Sequence, residues 1–239
     1  MNYQLIRNEQ ALQEFIDFLP ELKANEGYFL ILIARNKWNP DAKLPANVKL
    51  KRETVNRKDR IIPAIRQWEV EQGSYQYDGH PIPNDNLGVY IAYNPKDQYA
   101  ACFQLINKCL DSIKEKRDNI NIKSMANDVI QISTGSKNFI DIDVDVKEGE
   151  DERKIFDYIQ SVIGHEYLAV VKTNGGFHCL VRLGDHLPRN WYKLIQSHPF
   201  KSDLNIMSND LMPLVGCNQG KYIPNRVNLT EWIAVNPWN

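Results

Sequence analysis

Three aspartates alternate with aliphatic residues in the run Phe139-Ile140-Asp141-Ile142-Asp143-Val144-Asp145-Val146. Successive side chains of a strand point to opposite faces. Asp141, Asp143 and Asp145 therefore share one face, and Ile140, Ile142, Val144 and Val146 the other. Neighbouring positions on one face lie roughly 6.5–7 Å apart at the backbone. Carboxylates held that close repel one another, and burial raises the cost. A divalent cation offsets the repulsion, and oxygen ligands of this kind suit Mg2+ or Mn2+ held together with phosphate oxygens and water. The competing reading is an acidic sheet face turned to solvent, and the poor fit of Asp to strands argues against it.

Two later segments carry further reactive side chains. In Lys172-Thr173-Asn174-Gly175-Gly176-Phe177-His178 the glycines permit a tight turn and a close approach of backbone to a ligand. His178 lies just inside the strand that follows, where an imidazole can donate to a phosphate or serve a purely structural contact. In Asn209-Asp210-Leu211-Met212-Pro213-Leu214-Val215-Gly216-Cys217-Asn218-Gln219-Gly220-Lys221-Tyr222, Asp210 is a further candidate metal ligand and Lys221 a candidate phosphate contact. Taken alone, this third segment also reads as an ordinary loop.

The elements that must position these residues follow from periodicity. Residues 8–24 read as an amphipathic helix with Leu12, Phe15, Ile16 and Leu19 on one face, weakened or ended by Pro20. The apolar run 27–34 predicts a central strand that delivers Arg35, Asn36 and Lys37 at its end. Residues 40–60 hold Lys49, Lys51, Arg52, Arg57, Lys58 and Arg60 against only Glu53 and Asp59, and read as a basic loop or helix start. That segment is either a solvated face or a phosphate contact. Helices are expected at 61–70, with Pro63 in the first turn, and at 98–116, with Ala101, Leu105, Cys109, Leu110 and Ile113 inward. A strand is expected at 87–93, and the polar stretch 117–126 marks a subdomain boundary. Beyond it come a strand at 139–146 and a helix at 150–163. Two strands, 167–172 and 177–183, flank the turn at 173–176, and a short helix at 190–197 and two short closing strands complete the chain.

Composition bounds the function. The chain has 239 residues, 43% hydrophobic and 25% charged, which fits a folded chain rather than a disordered one. Lysine and arginine number 29 against 30 aspartates and glutamates, for a net charge of -1. That excludes binding of nucleic acid through bulk positive charge but leaves room for a local basic groove. Neither a membrane-spanning run nor a leader pattern is present, so a cytoplasmic protein without membrane contact is expected. Cys102, Cys109, Cys179 and Cys217 form no CxxC pair, which predicts buried free thiols rather than a disulfide framework or a zinc module.

The order of the acidic strand, the GGFH segment and the later acidic residue resembles the archaeo-eukaryotic primase superfamily, in particular the compact primase-polymerase domains of plasmids, phages and mobile elements. The resemblance covers about residues 139–225. That family carries DxD on a strand, then a small-x-His segment, then a third acidic residue on a later strand. Here DIDVD matches the first and Gly176-Phe177-His178 the second. Asp210, just before MPLVGCNQGKY, takes the third place. The resemblance implies an α+β protein, with an RRM-like (ferredoxin-like) catalytic module at 126–239 packed against an N-terminal α/β module at 1–125. The order strand, helix, strand, strand, helix, strand in the second half is similar to such a sheet. It further implies that Asp141, Asp143 and Asp210 bind Mg2+ or Mn2+ and that His178, with Gly176 before it, contacts a nucleoside triphosphate. Lys221, Arg226, Arg35 and Lys37 are the accompanying phosphate or template contacts. Asp145 is extra to the pair.

The implied activity is template-directed nucleotidyl transfer, a DNA primase or polymerase acting on single-stranded DNA beside a separate helicase or replication initiator. Template would lie along residues 49–60, with Trp38 or Trp68 available for base stacking or else part of the core. Two alternatives remain at this stage, a non-catalytic nucleic-acid-binding or replication-initiation module and a metal-dependent nuclease. The sequence departs from the family pattern in reading Pro-Leu-Val-Gly where a second proline usually precedes the glycine. It also has no counterpart of the zinc-binding stem.

Overall fold

The computed structural model describes residues 1–146, 149–197, 204–206 and 211–228. In chain order the first half contains α1 (Glu9–Phe18), β1 (Glu26–Arg35), β2 (Asn47–Val55), α2 (Ile61–Gln67), β3 (Gln76–Tyr77), β4 (His80–Pro81), β5 (Leu87–Ala92), β6 (Lys96–Asp97) and α3 (Gln98–Lys114). The second half contains α4 (Ile122–Ile132), β7 (Phe139–Val144), α5 (Glu150–Ile163), β8 (Leu168–Thr173), β9 (Gly176–Arg182), α6 (Trp191–Gln196), β10 (Leu204–Ile206), β11 (Leu211–Pro213) and β12 (Asn225–Arg226). The protein is α+β, with antiparallel sheets.

The first sheet runs β11-β5-β1-β2, with β6 pairing to the start of β1. β1 is an uninterrupted apolar run because both of its faces are covered. Tyr28, Leu30, Leu32 and Ala34 pack with Leu12, Phe15 and Ile16 of α1 and with Ile61 and Ile65 of α2. Phe29 and Ile31 pack with Ala101, Val129 and Ile130 from α3 and α4. Such two-sided burial explains why no polar alternation marks the strand.

The second sheet runs β10-β7-β9-β8-β12, every pairing antiparallel. Ile142, Val144, Val170, Phe177, Cys179 and Val181 lie under Ile155, Phe156, Ile159 and Ile163 of α5 and Trp191 and Ile195 of α6. The opposite face divides along its length. Phe139, Ala169, Val171 and Leu180 join the core of the first sheet. Further along β7, the same face carries Asp141 and Asp143.

The two sheets are fastened at the entrance to β7. Asn94 is fully buried, and its Oδ1 accepts from the backbone N–H of Asn138 (2.8 Å) and Phe139 (2.9 Å). Its Nδ2 donates to the carbonyl of Phe139 at 2.8 Å.

Several expectations need correction. The first helix ends at Phe18, because Leu19 turns extended ahead of Pro20. The middle of the basic stretch is an edge strand, β2, because Val48 and Leu50 alternate with lysines and pack against the main core, while Lys58 and Arg60 lie in the turn that leads into α2. Of its cations, Arg52 pairs with Asp128, and Lys58 closes the end of α1 through the carbonyls of Asp17 and Leu19. Leu110 and Ile113 of α3 face outward, because the helix is apolar on two sides and Ala101 marks the buried one; for the same reason Cys102 is exposed and Cys109 half-buried, and only Cys179 and Cys217 are the buried thiols expected. A boundary at 125/126 falls inside α4, and β11 returns from the second half to complete the first sheet. Among the described residues no helix is long and apolar enough to cross a membrane.

Candidate functional site

Strand register builds the site. Asp143 sits opposite His178 on the neighbouring strand β9, and Asp141 opposite Leu180. The register depends on Gly176, where φ is +154° and a Cβ would stand 1.9 Å from the carbonyl oxygen of Val144. Only glycine lets the start of β9 approach the end of β7 this closely. The hairpin before it is the expected one, with Thr173 paired to Gly176 across an Asn174-Gly175 turn.

Asp141 is fully buried and His178 is 6% exposed. The imidazole Nδ1 and Asp141 Oδ2 are 2.7 Å apart, and Nε2 stands 3.6 Å from Asp143 Oδ1. His178 thus bridges the two carboxylates. The other Asp141 oxygen, Oδ1, is buried without a hydrogen-bond partner. Asp145 lies past the end of the strand and is exposed. The acidic face is therefore graded rather than uniformly solvated: Asp141 is sealed in, Asp143 is half-buried and Asp145 is exposed.

The electrostatics follow from this burial. Burial disfavours a charged imidazole, but the charge and hydrogen bond of Asp141, with the charges of Asp143 and Asp145, outweigh it and raise the His178 pKa. Burial also raises the Asp143 carboxyl. His178 and Lys37 pull it back, while Asp141 and Asp145 push it further up.

The first sheet supplies the opposite side. The charge of Asp143 is felt at Tyr90 on β5, whose hydroxyl accepts from Arg35 Nη1 at 2.9 Å and is hydrogen-bonded to Gln219. Gln219 is 5% exposed, and its Oε1 accepts from the backbone N–H of Asn174 in the β8–β9 turn at 2.8 Å. A continuous chain, Asn174–Gln219–Tyr90–Arg35, therefore ties the turn before His178 to the first sheet. The Arg35 guanidinium lies over the rings of Trp38 (5.6 Å) and Tyr90 (5.7 Å) and donates to Asn47. Trp38 itself is half-buried in a cradle between Gly88 and Gly220, where a Cβ would come within 2.4 and 2.9 Å of the indole.

Of the residues singled out from sequence, Asp141, Asp143, His178 and Gly176 come together, and Lys37 and Arg35 border them. Lys221 pairs with Asp85 at 3.7 Å, and Arg226 stacks on Phe18 of α1 at 4.3 Å. Trp68 is buried in the core. Asp210 lies outside the described residues. Tyr90 and Gln219 were not assigned a role from sequence. Tyr90 sits in an apolar strand where nothing marks it, and the only sign of Gln219 is its place between Gly216 and Gly220.

Among the described residues no group of three or more His, Cys, Asp or Glu side chains is placed to hold a metal ion. Asp141 and Asp143 nonetheless suit a hard cation. They offer carboxylate oxygens, one of them buried and orphaned, in a place where like charges otherwise repel. No protein-family model matches the chain, and no curated protein or solved structure matches it either.

Proposed function

We propose that the protein is a nucleotidyltransferase that extends or primes a nucleic-acid strand on a single-stranded DNA template, using nucleoside triphosphates and Mg2+ or Mn2+. The observation that carries this reading is the buried Asp141 carboxylate beside Asp143, with an orphaned oxygen and a histidine fixing its other side. The sheet order supports it as well. β10-β7-β9-β8 places the fourth, first, third and second strands of the second half side by side, as an RRM-like sheet does, with the acidic pair on its first strand.

The chain's own residues divide the work. Asp141 and Asp143 would hold the cations, with Asp210 as the further ligand that the primase resemblance implies. Divalent ions at such a site supply Lewis acidity toward phosphoryl oxygens and toward the attacking hydroxyl. A His178 Nδ1–H donating to Asp141 Oδ2 would fix that carboxylate and leave Oδ1 as its uncommitted oxygen. Lys37, exposed and electrostatically coupled to Asp143, would meet phosphate charge. Arg35 and Tyr90 brace the wall opposite. Catalysis here is mostly positioning and electrostatics. A separate helicase or initiator would deliver the template.

The test is incorporation of labelled nucleotides on single-stranded DNA, with and without a primer, in Mg2+ or Mn2+. Wild type should give metal-dependent products, and Asp143→Asn should lose ~100-fold or more, beyond what loss of an outer-shell partner costs. Equal products from the two proteins would overturn the assignment. Degradation of the DNA without added triphosphates would mark a nuclease, and metal-independent DNA binding with no products a binding module.

A further inference from the structure

Helix α3 has two apolar sides that cannot both serve the core. Ala101 and Leu105 face Phe29, Ile31 and the residues of α4. The other side carries Tyr99, Phe103, Ile106, Leu110 and Ile113, which are 67%, 70%, 55%, 49% and 65% exposed. Their spacing is four, three, four and three residues, the pattern of alternating d and a positions over two heptads. On an α-helix these five fall within about 80° of arc, on the side away from Ala101 and Leu105. Isolated exposed apolar residues are ordinary, but a continuous seam along 15 residues of one helix is not.

We propose that this seam is a dimer interface, in which α3 packs antiparallel against α3 of a second copy about a two-fold axis. The partner that a heptad seam fits is another helix with the same seam, each side chain entering a hole formed by four others. A two-fold axis makes one such surface sufficient, because it contacts itself. Through most of the seam the bracketing residues, Ala100, Cys102, Asn107 and Cys109, are uncharged, and the charged ones, Lys114 and Lys116, lie at its C-terminal end, where an antiparallel partner keeps them apart from their own copies. Orientation is set at the helix ends. The antiparallel arrangement brings Asp97, at the start of α3, beside the other end of the partner helix, where Lys114, Lys116 and Arg117 outnumber Asp111 and Glu115, with which Lys114 and Arg117 pair. The five side chains offer on the order of 600 Å2 per copy, so two copies cover on the order of 1,200 Å2, the lower end of stable interfaces. Area alone does not set affinity, and the concentration at which an interface at this lower end closes is read by experiment.

Sedimentation equilibrium of the full chain tests this, with Ile106→Glu/Leu110→Glu as the variant. Wild type should sediment as a dimer at tens of micromolar, and the variant as a monomer with its dissociation constant raised ~100-fold or more. Far-UV circular dichroism and the melting temperature of the isolated monomer should not change, because both side chains are already exposed. Phe103→Ser serves as a milder second variant with the same expected direction. A wild type that stays monomeric at about 200 μM, or a variant that stays dimeric, overturns the proposal. So does a monomeric wild type whose melting temperature falls on the same substitutions, since that would put a segment of the same chain on the face.

Discussion

His178 is held by opposing forces, burial against its proton and three aspartates in favour of it. The sum raises its pKa above the ordinary 6.5. A raised folded-state pKa means that the charged pair with Asp141 stabilises the fold fully below the unfolded value, and that the contribution fades as pH rises through the folded one. The upward shift of Asp143 acts in the same direction, because its carboxyl also binds protons more readily when folded. In chelator-treated protein, His178→Gln should therefore lower the unfolding free energy by about 1.5–3 kcal/mol at about pH 6, the range for a charged hydrogen bond. The gap between the two proteins should narrow toward about pH 9, measured by urea unfolding. A gap that widens with pH would contradict a charged His178 between the carboxylates.

At the scale of elements, the approach of β9 to β7 rests on one residue. Gly176→Ala forces a Cβ onto the Val144 carbonyl at a backbone angle that alanine rarely adopts, and should cost about 3 kcal/mol in urea unfolding. A loss below about 1 kcal/mol would show that the strand ends part easily and that the site's register has another source. The sequence made some of these elements legible and hid others. The period-two alternation of 139–146 exposed the acidic face, and Asn174-Gly175 marked its hairpin. Strand β2 was hidden because only Val48 and Leu50 break a run of cations at a half-buried edge. Helix α3 was misoriented because its apolar residues occupy two sides, and periodicity alone does not say which one meets Phe29 and Ile31. The Asn174–Gln219–Tyr90–Arg35 chain joins residues from four distant segments, so no local pattern announces it.

At the scale of the molecule, the two sheets share one core, to which the second contributes Phe139, Ala169, Val171 and Leu180. Where that apolar contact ends, the same sheet face turns acidic, and Asp143 couples to Tyr90 of the first sheet, itself held by Arg35, and to Lys37 in the turn beyond β1. With a near-zero net charge, the polyanion recognition proposed above would rest on such local placement rather than on the whole surface. Nucleotidyl transfer at this junction requires that it take up a divalent cation, and a Mn2+ titration followed by electron paramagnetic resonance reads that without requiring turnover. Wild type should bind Mn2+ saturably and more tightly when a nucleoside triphosphate is present, and Asp143→Asn should weaken binding ~100-fold. Equal binding by both proteins, or no binding by wild type even with the triphosphate, would contradict the cation site and the nucleotidyl transfer built on it.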